Sequence, residues 1–290
     1  MRLRSLLFVP GDRPDRFDKA MTSGADAVIL DLEDAVVPAR KDAARQAVAS
    51  FLAAQARSGE KGAAAGGPAV FVRINPLDLA MVDADLAAAK GADGIVLPKA
   101  EGASSLAALD RLLGAERAVI LPIATETPAA VFQLGSYGGV TARLCGLTWG
   151  AEDLPAAIGA ATSREPDGSL TDPYRMVRAL ALFAAHAAGV AAIETVHPDI
   201  KDMAGLEGTA QRAARDGFSG MMAIHPAQVA LINAAFTPTA AAVAEAQAIV
   251  DAFAAHPEAG ALQVNGRMAD APHLKQAKRV LARAGKGGAA

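Results

Sequence analysis

Short apolar runs recur along the chain, each followed by a longer alanine-rich stretch of mixed polarity. The runs fall at residues 3–9, 27–32, 69–74, 94–97, 118–123, 143–148, 190–194 and 220–224. They are near-continuously hydrophobic, as parallel strands covered on both faces require. The stretches between them suit helices, and several close on a glycine (Gly24, Gly91, Gly189, Gly217) that can end a helix in the left-handed conformation. Eight such units predict an α/β fold, a (β/α)8 TIM-type barrel, with a doubly wound open sheet as the alternative.

Two segments interrupt the rhythm. Residues 59–68 (GEKGAAAGGP) read as a surface linker, and residues 161–173 (ATSREPDGSLTDP) as an extended loop after the sixth strand, on the functional rim. After Phe236 the pattern changes. A long helix over 239–256, a strand over 261–264, a turn at Asn265-Gly266 and a helix through Lys278 are expected, with a frayed end at 285–290. The chain therefore divides into a barrel, 1–236, and a helical/hairpin C-terminal extension, 237–290.

Composition narrows the function. Hydrophobic residues make up 52% of the chain and aromatic ones 4%, so the core is built from Ala, Val, Leu and Ile. A net charge of −3 with no long basic run argues against a nucleic-acid-binding face. The single cysteine, Cys145, rules out an intramolecular disulfide framework and a Cys-rich zinc site, and its apolar neighbours predict a small core residue. The apolar stretch Leu6-Leu7-Phe8-Val9 stops at Pro10, and no segment is expected to reach the ~20 apolar residues of a membrane span. The reading is a cytoplasmic protein.

Chemistry in a barrel of this kind sits where the strands end, and polar residues gather there: Asp31-Leu32-Glu33-Asp34, Arg73-Ile74-Asn75, Lys99, Thr125-Glu126-Thr127, Glu152-Asp153 and His225. Glu126 and Asp153 follow consecutive strands, and two carboxylates completed by water and substrate oxygens suit Mg2+. Both equally resemble acids at helix starts, beside Pro128 and Pro155. Arg73, at a buried strand end, needs an anionic partner. That partner is either Asp31 or Glu33, or else the carboxylate of a substrate. Lys99 admits the same two readings. The acidic cluster around Asp31 suits orienting Arg73, Lys99 or metal-bound waters. The first loop, with Arg13, Arg16 and Lys19, has the charge to meet phosphates, although Asp12, Asp15 and Asp18 allow a self-paired helix start instead. His225 is either a general acid/base or a structural hydrogen bonder.

SLLFVPGDRPDRFDKA, GADAVILDLEDAV, VRINP, GADGIVLPKAE, LPIATETP, LCGLTWGAEDL, MMAIHPAQV and GRMADAPHLKQAKRVL follow one another through nearly the whole chain. Together they resemble the citrate lyase β-subunit-like, or HpcH/HpaI aldolase, family, which includes malyl-CoA, citramalyl-CoA and citryl-CoA lyases. The resemblance implies a TIM-type barrel and Mg2+ held by Glu126 and Asp153. It places Arg73 on the substrate carboxylate, as an orienting catalytic group. Asp31 and Lys99, at neighbouring strand ends, are expected beside the substrate. It places Arg13 and Lys19 on coenzyme A phosphates. Asp270, in Met268-Ala269-Asp270-Ala271-Pro272, matches an aspartate that enters a neighbouring subunit's site as acid/base. Ala269 stands where the family usually has valine or isoleucine. The implied assembly is a homotrimer or dimer of trimers, with the extension packed on a neighbour. The implied reaction is retro-Claisen cleavage of a 3-hydroxy-3-carboxyacyl-CoA to acetyl-CoA and a 2-oxo acid. Malate synthase-like condensation with thioester hydrolysis, a carrier-dependent subunit of a citrate lyase complex and pyruvate aldolase chemistry are the alternatives.

Overall fold

The structure is a computed structural model that describes residues 1–58 and 66–285. Most of the expected linker, residues 59–65, and the end of the tail, 286–290, lie outside the described residues. Eight parallel strands run in chain order: β1 (Ser5–Pro10), β2 (Ala27–Asp31), β3 (Ala69–Arg73), β4 (Gly94–Leu97), β5 (Val119–Pro122), β6 (Gly146–Thr148), β7 (Ala191–Glu194) and β8 (Gly220–Ala223). They are hydrogen-bonded in the order β5-β4-β3-β2-β1-β8-β7-β6. The two ends of that order also meet. The Ile120 N–H donates to the Arg143 carbonyl at 2.8 Å, Cys145 N–H to Ile120 at 3.0 Å and Ala124 N–H to Thr148 at 2.9 Å. These bonds close the sheet into a TIM-type barrel and exclude the open alternative.

The helices between and after the strands are α1 (Phe17–Met21), α2 (Lys41–Ser58), α3 (Val82–Ala88), α4 (Ala103–Leu113), α5 (Pro128–Gln133), α6 (Asp153–Ile158), α7 (Asp172–Ala187), α8 (Met203–Asp216) and α9 (Pro226–Ala235). Period-two alternation sends one residue in two of each strand inward. Leu6, Ile29, Phe71, Val96, Leu121, Ile123, Ile193 and Met222 pack there into one buried cluster. Each large side chain so buried is worth about 1.5–3 kcal/mol. A β-carbon at Gly94 would stand 2.2 Å from the Phe71 ring, so this layer closes only around a glycine. Because the barrel centre is packed solid, ligands are left to the rim.

Some boundaries differ from the sequence expectation. β6 is shorter than 143–148: ahead of it Leu144 makes only an isolated bridge to Ile120, and Arg143 turns its guanidinium to Asp110 and to the carbonyls of Gly114, Glu116 and Ala118. The 161–173 segment is a small hairpin in which Arg164 bridges Leu170 and the Glu165 N–H donates to the Ser169 carbonyl at 2.8 Å. The expectation about membrane-length segments is corrected: Pro226–Ala255 is long and apolar enough by length and composition. Its backbone is nonetheless broken. α9 ends at Ala235, and a new helix, α10 (Ala240–Ala255), starts behind a Thr239 side chain that accepts from the Ala242 N–H.

Chain contacts divide the protein into two units, Met1–Asn233 and Ala234–Ala290. The second contains α10, a hairpin of β9 (Ala261–Val264) and β10 (Arg267–Asp270), and α11 (Ala271–Arg283). Asn265 and Gly266, with φ of 49° and 78°, form the turn that matches the twist of a two-residue hairpin. Ala246, Ala277 and Leu281 bury the seam between α10 and α11. β10 supplies the second strand of the expected hairpin, and α11 runs five residues beyond Lys278.

Candidate active site

The register of β2 against β3 puts Asp31 directly opposite Arg73 at the C-terminal ends of the two strands. The Arg73 Nε and Nη2 lie 2.7 and 2.6 Å from the two Asp31 oxygens, and Nη1 lies 2.7 Å from Glu33 Oε2. The guanidinium also sits 4.8 Å from the centre of the Phe8 ring. Burial opposes its charge, but Asp31 and Glu33 outweigh that effect and raise its pKa. Asp31 is 1% exposed, and its oxygens also accept from the Glu33 and Ala35 N–H groups. Both Asp31 oxygens are thus taken up within the protein, rather than turned to a substrate as the sequence led us to expect. Asp31 holds Arg73 and the turn after β2.

Glu33 carries the cluster onward. Its Oε1 accepts from the Lys99 ammonium at 2.8 Å, and the same ammonium lies 3.4 Å from Asp153 Oδ1. Burial raises the Glu33 pKa, with Arg73 and Lys99 opposing. Lys99 adopts φ of 48°, a left-handed backbone that costs a side-chain-bearing residue energy. In that conformation its N–H donates to Glu126 Oε2 at 2.5 Å. Glu126 is 3% exposed. Burial pushes its pKa up to about 8, the Lys99 N–H opposes the rise, and Asp153 and Glu33 add to it. Gly150 flanks this carboxylate so closely that a β-carbon there would stand 3.0 Å from Glu126 Cγ.

The helix-start readings of the two acids now separate. The cap of α5 is Thr127, which accepts from the Ala130 N–H, and Glu126 is free of that task. Asp153 does open α6, as its first-turn acid, while also facing Lys99. The cluster joined by these contacts has four carboxylates, Asp31, Glu33, Glu126 and Asp153, against two cationic side chains, Arg73 and Lys99. When all are ionised, two negative charges remain uncompensated, which is the charge a divalent cation supplies. Among the described residues no group of three or more His, Cys, Asp or Glu side chains forms a metal cage. Such a cage is what zinc asks for. Two carboxylates with open positions fit magnesium, which keeps waters and substrate oxygens in its shell.

A buried brace that the sequence reading did not find supports the cluster. The Lys41 ammonium donates to the carbonyls of Leu32 and Glu33 and to Asn75 Oδ1, at 2.7–2.8 Å. The Asn75 N–H and side-chain amide both donate to Asp85 Oδ2 at 2.7 Å, and Arg45 Nε donates to Asp85 Oδ1 at 2.7 Å. Asp85 comes from α3, far from any strand end, in a stretch (Val82-Asp83-Ala84-Asp85) that looks like an ordinary solvated helix.

The first loop does not converge on this cluster. Arg13 is forked onto Asp15 at 2.9–3.0 Å, with both side chains exposed. Lys19, together with Arg16, lines a separate cavity of about 330 Å3 formed by the ends of β1 and β8 with His225. Arg16 was not singled out as a match at the sequence level. Asp270 belongs to the second unit, where it caps α11. Its Oδ1 lies 2.5 Å from His273 Nδ1, and that contact, with the His273 backbone N–H, lowers its pKa.

The profile of the HpcH/HpaI aldolase/citrate lyase family matches residues 4–226. The chain belongs to this family. Its relatives include a citrate lyase subunit beta-like protein of Mycobacterium tuberculosis, 38% identical over 97% of this chain and 95% of that protein. An L-malyl-CoA/beta-methylmalyl-CoA lyase of Rhodobacter capsulatus is 31% identical over 97% of this chain and 94% of its own. Among solved structures, CitE from M. tuberculosis in complex with magnesium, acetoacetate and coenzyme A superposes with a TM-score of 0.79 at 35% identity, covering 98% of both chains. The family is of lyase/aldolase type, and the resemblance read from the motifs holds along the whole chain.

Proposed function

We propose that this protein is a magnesium-dependent carbon–carbon lyase that cleaves a 3-hydroxy-3-carboxyacyl-CoA of the citryl-, malyl- or citramalyl-CoA type to acetyl-CoA and a 2-oxo acid. The observation that carries this reading is the rim cluster: the carboxylates Asp31, Glu33, Glu126 and Asp153 around the ammonium of Lys99 and the guanidinium of Arg73, two positive charges short of neutrality when all are ionised. The CitE complex with magnesium, acetoacetate and coenzyme A, and the malyl-CoA lyase relative, support the same chemistry.

Glu126 and Asp153 are the residues that hold Mg2+ in this reading. When bound, the ion supplies Lewis-acid stabilisation of charge on substrate oxygens. Arg73 and Lys99 orient the substrate carboxylate. The turn of the Arg73 side chain is fixed by Asp31 and by the Phe8 face. In the reaction the hydroxyl proton leaves, the bond between C2 and C3 breaks, and its electron pair passes to the thioester enolate. Asp270, held ionised by its contact with His273, takes up the hydroxyl proton and returns it to the enolate carbon, so the proton count balances. Lys19 meets coenzyme A phosphates at the mouth of the β1/β8 cavity, and Arg13 joins it on release of Asp15. We place Asp270 in the site of a neighbouring subunit of a cytoplasmic homotrimer or dimer of trimers.

The test is the pair of variants Glu126→Gln and Asp153→Asn, followed by titration calorimetry with MgCl2 and by turnover of malyl-CoA and citryl-CoA. Both variants should keep the wild-type circular dichroism spectrum and lose magnesium binding and cleavage. Magnesium-dependent turnover by either variant at the wild-type rate overturns the metal assignment.

A further inference from the structure

A second cavity, of about 600 Å3, opens at the ends of β6 and β7, between α7, α8 and the 161–173 hairpin. That volume is in the range of sites for small organic ligands. None of Arg73, Lys99, Glu126 or Asp153 lines it. Trp149 forms part of its wall, and the indole N–H donates to Glu194 at 2.6 Å. Four arginines and a histidine face this space, and their pairing is unequal. Arg178 is consumed by Glu194 and Asp216, and Arg175 is tied to Asp172. Both are accounted for by the fold.

Three cationic or donor groups are not. Arg164 donates through Nη1 to the Gly168 carbonyl at 3.1 Å, but its Nε–H is buried and meets no acceptor. Arg212, one turn before the end of α8, forms no ion pair among the described residues and is exposed. His197 is 9% exposed, and neither ring nitrogen has a hydrogen-bond partner. Its Nε2 comes within 3.3 Å of Asp202 Oδ2 without the alignment of a hydrogen bond. Buried polar groups are nearly always satisfied, and the unmet ones point to something missing. Of the acids on the wall, Asp202 accepts the Gly205 N–H through Oδ1 as the cap of α8, and Asp167 accepts the Ser169 N–H. Neither meets the Arg164 or Arg212 guanidinium, and unmet guanidinium donors call for an acceptor such as an oxyanion.

We propose that this cavity is a second ligand site, in which Arg164, Arg212 and His197 bind the oxyanion group, carboxylate or phosphate, of a small organic molecule. Its place fits the barrel architecture, in which ligands bind at the C-terminal face among the loops after the strands. The site is built from β7, α8 and the hairpin, so a ligand there ties three separately folded segments together. It needs no part of the rim cluster, and its occupancy is independent of whether the lyase reading is right.

The test is titration calorimetry of the whole protein, without magnesium, against citrate and against inorganic phosphate at up to millimolar concentration. The comparison is between wild type, Arg212→Ala, Arg164→Ala and Lys99→Ala. Arg212 is exposed, so its variant keeps the fold. Binding of at least one probe is expected, roughly tenfold weaker in each arginine variant and unchanged in Lys99→Ala. Citrate alone identifies a carboxylate site, and phosphate alone a phosphate site. Absence of binding by both probes overturns the proposal, as does binding that survives both arginine changes.

Discussion

Burying a carboxylate is expensive, and at Glu126 the expense shows as a pKa pushed up to about 8. The protein holds that group still with a left-handed Lys99 N–H on one side and a side-chain-free Gly150 on the other. Gly150 is therefore where the smallest change reaches the site. In Gly150→Ala the new methyl crowds Glu126 Cγ and displaces the carboxylate by a few tenths of an ångström. We expect magnesium affinity by calorimetry to fall roughly tenfold, as for other residues that orient ligands, with the melting temperature nearly unchanged. Equal affinity in the variant would separate Glu126 from the metal. Asp85 is the opposite case, a residue whose removal harms the fold. It is fully buried and takes three hydrogen bonds, so Asp85→Ala leaves Arg45 and Asn75 unmet. A loss of about 3–5 kcal/mol in urea unfolding is expected, the usual cost of breaking a buried ionic pair. A loss below ~1 kcal/mol would show that water replaces the carboxylate.

At the scale of elements, the strands were legible because a buried parallel strand has almost no choice but a continuous apolar run: seven of the eight lie within the runs read from the sequence, and β1 passes its run by one residue. What was not legible depends on partners distant in the chain. Arg143 looks like the first residue of a strand, yet its guanidinium is claimed by Asp110 and the carbonyls after α4. Likewise β10 is too short and polar to mark its own bounds, and exists because Asn265-Gly266 folds it onto β9. Among site residues, Glu126, Asp153, Arg73 and Lys99 announced themselves by standing just past apolar runs. Lys41 and Asp85 carry no such mark, since a helix-borne charge such as Asp85 reads as solvated until its neighbours are known. Thr127 shows how an element serves the site: it caps α5 and donates to Glu101 at 2.6 Å, fixing the residue after Glu126. Thr127→Ala should cost about 1 kcal/mol in thermal or urea unfolding, whereas Thr127→Ser, which keeps the oxygen, should recover most of it. Equal stability of all three would deny the cap its role.

At the scale of the whole molecule, the two units hold different halves of the proposed chemistry. The rim cluster lies wholly within Met1–Asn233, and the proton donor Asp270 lies in the unit that follows. Asp270 is well made for a group that must present one oxygen repeatedly. It is locked as the cap of α11, in contact with His273, at the end of a hairpin with a rigid turn. If each Asp270 serves a neighbour, a subunit with Glu126→Gln and a subunit with Asp270→Ala are each inactive alone but complementary together. In a cyclic trimer assembled at random from equal amounts, about a quarter of the sites pair an intact metal face with an intact aspartate. Co-expression of the two variants should thus restore about a quarter of the wild-type rate per site. If the aspartate instead served its own chain, every site would carry one defect, and the mixture would be as inactive as its parts. A mixture without activity, from variants shown by mass to have co-assembled, would rule out the exchange between subunits. It would leave the metal assignment to stand or fall on Glu126 and Asp153 themselves.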